Sequence, residues 1–126
     1  MIKVTIEQVL KINPILSKLA TKSYAGRIAF ALARLAREVA KEVEVFDNTR
    51  MELVKKYADK DESGEVIVNE NGNVHITDEN LACCNKELNE VLATEIELNA
   101  NKMPIDWFED VELTIEEALA LEAFID

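Results

Sequence analysis

The residues able to do chemistry are few and scattered. Cys83 and Cys84 are adjacent and are the only cysteines among 126 residues. That spacing is neither a Cys-x-x-Cys metal pair nor part of a disulfide framework. A bridge between neighbours would be strained, so two reduced thiols are expected, one in the core and one beside it. His75 is the single histidine. It stands between Val74 and Ile76 in an extended stretch, with no Cys, Ser or second His at a motif spacing. A surface histidine is expected there, not a ligand or base. No glycine loop of the kind that cradles phosphate is present.

The stretch Asp59–Glu70 matches part of a calcium-loop pattern. Asp59, Asp61 and Ser63 fall at loop positions 1, 3 and 5, Gly64 at position 6 and Glu70 at position 12. Against this, Ile67 at position 9 is a poor ligand, and a hairpin rather than a helix is expected to follow. A solvated turn is the plainer reading of the same residues. Near the C-terminus, Glu109, Asp110, Glu112, Glu116 and Glu117 supply carboxylates but no companion base or aromatic sugar platform, so they read as a solubilising face. Beside them, Ile105, Trp107 and Phe108 form the densest aromatic spot, either a clasp on the last helix or an anchor for a partner. No nucleophile–base pair or metal set emerges, so a non-enzymatic protein without a cofactor is expected.

The elements that would position these residues are mostly helical. Only 3 glycines and 2 prolines occur, which leaves few tight turns. One long amphipathic helix is expected over about 24–60, capped by Ser23. Its apolar positions Ile28, Leu32, Leu35, Val39, Val43 and Phe46 advance by 4, 3, 4, 4 and 3, close to a coiled-coil seam with one stutter. Arg50 falls on that seam. At a rise of about 1.5 Å per residue the helix would be roughly 55 Å long, more than a compact domain of this size needs.

Before it, Ile2–Ile6 reads as a short strand or a helix lead-in. Thr5 and Gln8 have capping-box spacing, and Asn13-Pro14 gives a second start signal, hence two short helices or one kinked helix. After it, Glu65–Val68 and Val74–Ile76 flank Asn71-Gly72, a hairpin cue over about 65–76. Thr77 can cap a helix from Asp78, and Thr94–Leu98 alternates as an extended segment. Thr114 with Glu117 is a capping box for a last helix whose apolar side is expected to hold Leu119, Leu121, Phe124 and Ile125. The expectation is therefore a mainly α single domain over 1–126, with two or three shorter helices on the long one. Its parts are a helical hairpin over 1–60, a loop and β-hairpin over 61–77 and an acidic helical part over 78–126.

Net charge is −11, which argues against direct nucleic-acid binding and against an anionic membrane surface. The charge is uneven. Residues 1–56 hold 11 Lys+Arg and 6 Asp+Glu, a net +5, and residues 57–126 hold 3 and 19, a net −16. From Ile105 to Asp126 there are eight acidic residues and no basic one. Met1-Ile2-Lys3 leads into mixed sequence, with no signal-peptide core and no run of some 18 apolar residues.

Three stretches resemble a loose group of small proteins of tailed bacteriophages and prophages. They are Lys22-Ser23-Tyr24-Ala25-Gly26-Arg27 opening a charged helix, Lys56–Glu65 at its end, and Asn85–Leu92 with Pro104, Thr114 and Leu121, Phe124 and Ile125 after it. The resemblance implies a host cytoplasm or virion setting and no catalytic residue. Two functions then compete. One is a self-associating assembly or structural accessory, joined through Leu35, Val39, Val43 and Phe46. The other is an acidic inhibitor of a nucleic-acid machine, acting through the acidic C-terminal half with Glu109, Asp110, Glu112, Glu116 and Glu117; Trp107 and Phe108 remain the aromatic anchor for a partner. In both the partner is protein, a second copy in the first case.

Overall fold

The structure is a computed structural model that describes residues 1–60, 62–67 and 74–126. The fold is mainly α. In order the elements are β1 (Ile2–Thr5), α1 (Ile6–Leu19), α2 (Gly26–Tyr57), α3 (Asp78–Leu92), β2 (Glu95–Leu98) and α4 (Ile115–Leu121), with 3-10 turns at Ile105–Phe108 and Glu122–Phe124. The chain divides into two compact units, Met1–Glu44 with Thr94–Asp126, and Val45–Ala93.

The first unit is closed by strands from distant parts of the chain. β1 and β2 pair antiparallel, Ile2 opposite Leu98 and Val4 opposite Ile96. Alternation sends Ile2, Val4 and Leu98 inward, where they are buried. It sends Lys3 and Glu97 outward, opposite each other and of opposite charge. A two-stranded sheet is marginal alone, so its apolar face must be covered. Helix α1 and the Glu122–Phe124 turn pack on β1, and α2 joins the same core. Thr5 ends the strand and opens α1 through the expected capping box: its hydroxyl accepts from the Gln8 N–H at 3.2 Å, and Gln8 Oε1 accepts from the Thr5 N–H at 2.8 Å. The Asn13-Pro14 start signal does not divide this helix. Pro14 lies inside α1, and the apolar stripe Val9, Ile12, Ile15, Leu16 and Leu19 is buried on both sides of it, so burial outweighs one lost backbone bond.

Helix α2 begins at Gly26, three residues after Ser23, which does not cap it. Tyr24 sits in the intervening turn, half-buried against the core. Leu32, Leu35 and Val39 enter the same core as β1, β2 and α1. The C-terminal segment completes it with Phe108, Leu121 and Phe124. Its end is tied back to Met103: the Met103 N–H donates to the Phe124 carbonyl and the Asp126 N–H to the Met103 carbonyl, both at 2.9 Å.

The second unit has little core, with Ala58 and Cys84 its buried apolar residues among those described. Thr77 caps α3, its hydroxyl accepting from the Asn80 N–H at 3.3 Å. The Asn80 amide in turn donates to the Tyr57 carbonyl at 3.3 Å, satisfying an end carbonyl of α2. Lys56 pairs with Glu87 at 3.2 Å. Of the hairpin expected over 65–76, residues 68–73 lie outside the described residues. Its described arms are joined: the His75 N–H donates to the Ile67 carbonyl at 3.1 Å. Asp59 binds both arms, its carbonyl accepting from Ile67 and its N–H donating to the His75 carbonyl.

The uneven distribution of core gives a direct expectation. Leu121→Ala, at a position with no solvent exposure, should cost about 2–5 kcal/mol in denaturant unfolding. Leu81→Ala on α3, which is 42% exposed, should cost under about 1 kcal/mol. Equal losses would show that the core boundary drawn here is wrong.

Candidate functional site: two charged helix faces and a groove

The residues expected to mediate binding are placed very differently by the fold. Leu35 and Val39 are 1% and 0% exposed, so the first half of the expected self-association seam is filled by this chain's own strands and helices. Val43 is half-buried against the same core. Phe46 is half-buried and belongs to the second unit. Phe108 is also core. Trp107 is half-buried, with the Arg27 guanidinium 5.9 Å from its ring centroid, near the outer limit of a cation–π contact. Leu35, Val39, Val43, Trp107 and Phe108 pack in or on the core of the first unit, and a partner cannot reach Leu35, Val39 or Phe108. The reason is geometric: a seam of helical spacing needs cover, and β1, β2 and the C-terminal segment supply it.

Glu109, Asp110 and Glu112 are exposed. The Glu112 backbone carbonyl accepts from Lys18 Nζ at 3.0 Å. Of the calcium-loop residues, Asp61 and Glu70 lie outside the described residues. Ser63 is exposed, and the Asp59 carboxylate is hydrogen-bonded to His75 Nδ1. Among the described residues no group of three His, Cys, Asp or Glu side chains could hold a metal ion. Cys84 is buried and Cys83 exposed, as neighbours about 100° apart on a helix require.

What remains on the surface was not singled out by the sequence reading. On α2, Arg27, Phe30, Arg34, Arg37 and Lys41 are all exposed. Their steps of 3, 4, 3 and 4 are the helical spacing of the seam, repeated on the other side of the helix. The ridge is basic, with Phe30 within it at 81% exposure. Among the described residues neither Arg34 nor Arg37 is in an ion pair, whereas Lys41 reaches Glu38 at 3.2 Å. On α4, Ile115 and Leu119 are 82% and 63% exposed. Leu119 therefore does not share a side with Leu121, as expected from sequence; two positions apart on a helix lie about 200° apart. Glu116 and Glu122 flank this outward pair and are exposed.

Two depressions border these faces. An open groove of about 640 Å³ runs between α1 and α4, with Gln8, Lys11 and Leu119 on its walls. A smaller one of about 200 Å³ lies between α1 and α2. It is apolar, lined by Leu16 and Leu19 on one side and Ala29, Ala33 and Ala36 on the other. Tyr24 lines it too. Among the described residues the Tyr24 hydroxyl is buried without a hydrogen-bond partner, and burial pushes its pKa up.

Helix α4 is set on the unit by its own capping box and one ion pair. Glu117 Oε1 accepts from the Thr114 N–H at 3.0 Å and faces Lys18 Nζ at 2.9 Å. The backbone hydrogen bond, then the lysine, hold the Glu117 carboxyl below its ordinary pKa. Among the described residues, no helix is long and apolar enough to cross a membrane. No protein-family model, curated protein or solved structure matches the chain.

The depressed Glu117 value fixes the sign of a pH effect. A carboxyl that ionises more readily when folded stabilises the fold above its unfolded pKa, about 4.3, and loses that contribution as pH falls through the folded value. Thermal melts should therefore show Glu117→Gln below the native protein at pH 7, with the gap closing below about pH 4. A gap of constant size at all pH values would assign the loss to something other than the carboxylate charge.

Proposed function

We propose that this is a non-enzymatic protein that works by protein–protein association, self-associating as an assembly or structural accessory in the phage setting its resemblance implies. The observation that supports this reading is the pair of studded faces on the first unit. Phe30 and Ile115 are 81% and 82% exposed, on helix surfaces of opposite charge. Single exposed apolar residues are ordinary, but large ones set in a rim of charge are the usual make-up of a docking surface. A net charge of −11 favours a protein partner over nucleic acid or an anionic membrane.

Light scattering tests the reading at micromolar to near-millimolar concentration, in low and high salt. A mass at least twice that of the single chain is the expected result. A single-chain mass throughout would overturn it. That outcome would favour the second reading, an acidic inhibitor of a nucleic-acid machine, which the exposure of Glu109, Asp110 and Glu112 supports. Its mark would be binding to a basic protein that weakens with added salt.

A further inference from the structure

The self-association reading leaves open which surfaces meet. We propose that the apolar groove between α1 and α2 receives the outer face of α4 from a second copy of the chain. The inference rests on that reading and gives it an interface.

The groove has the shape for a helix and the wrong size for a metabolite. Ala29, Ala33 and Ala36 repeat at helical spacing along one wall, which clears a channel along α2 that larger residues would fill. Its volume of about 200 Å³ falls below the roughly 300–1,000 Å³ of small-molecule pockets. An amphipathic helix laid in such a channel is held by apolar anchors one turn apart. Charge defines the helix further. Lys22 lines the groove, and Arg34 and Arg37 follow Ala33 and Ala36 around α2. Among the described residues none of the three is in an ion pair. Phe30 stands exposed on the same ridge. The Tyr24 hydroxyl, buried beside the channel, has no hydrogen-bond partner among the described residues.

The complementary object is an acidic helix with two exposed aliphatic residues at i and i+4. Helix α4 is one: Ile115 and Leu119 are exposed, with exposed Glu116 and Glu122 on either side. It cannot serve its own groove. Leu121 is fixed in the core and Glu117 on Lys18 at 2.9 Å, so this face stays beside α1, where Leu119 and Glu116 border the open groove. A second copy therefore supplies it.

The test uses the full chain and four samples: the native protein, the double variant R34E/R37E, the double variant E116K/E122K, and an equimolar mixture of the two variants. All four substituted positions are exposed, and circular dichroism confirms folding. Light scattering at a concentration where the native protein associates should show each variant alone dispersed, its dissociation constant raised at least tenfold. The mixture should regain the native mass, because the reversed groove now faces a reversed helix. A further pair, Ile115→Ser with Leu119→Ser, should disperse the protein without rescue. If the native protein associates and both charge variants do so equally, the interface assigned here is wrong and self-association stands. If both disperse but the mixture does not recover, the two faces do not meet, and the assignment also falls. If the native protein is a single chain throughout, the functional reading fails, and a foreign acidic helix becomes the occupant.

Discussion

The pairing of Ile2–Thr5 with Glu95–Leu98 is the constraint on which the first unit depends. Each strand alone is too short to persist in water. Together they present Ile2, Val4 and Leu98 as one apolar surface, on which α1 and the Glu122–Phe124 turn pack and which shares its core with the first half of α2. The ladder also fixes where the C-terminal segment starts. From Leu98 the chain passes through buried Ala100 and Met103, and Met103 is the residue to which the end of the chain is hydrogen-bonded. Removing the ladder would uncover α2 and release the segment that carries α4.

Helix α2 divides its labour around its circumference. Leu32, Leu35 and Val39 face the core, and Arg27, Phe30, Arg34 and Arg37 face water. Both stripes advance by threes and fours, because any residue set on one side of a helix must. Periodicity shows that a face exists and leaves its partner open. The sequence reading took the apolar stripe for a subunit seam since no local segment was an obvious cover for it. The cover comes from the two ends of the chain, which no local pattern connects.

Much of the local structure was legible. The capping boxes at Thr5 and Thr114, the cap at Thr77 and the alternation of Glu95–Leu98 are short-range chemistry and stand where the spacing put them. The long helix was legible too, within a turn at either end. Ser23 has the chemistry of a cap but lies three residues before Gly26, where α2 starts. The outward face of α4 was missed because Leu119 and Leu121 were read as one apolar side, although their angular separation forbids it. The basic ridge is legible in the sequence, since its spacing of threes and fours matches that of the seam. The pairing of β1 with β2 was not legible, since each strand carries four residues and nothing in either names the other.

That pairing has a consequence for synthesis. Ile2 and its partner Leu98 lie 96 positions apart along the chain, so the first strand is made well before the second. At about 5–20 residues per second, the first strand waits roughly 5–20 s before its partner has been made. During that interval Ile2, Val4 and the apolar stripe of α1 have no sheet to close on. The whole of Val45–Ala93 is translated while they wait, so the second unit is completed before the first can be. A nascent chain of this protein is thus aggregation-prone early and secure late, and the order of events is set by where two four-residue strands fall along the message.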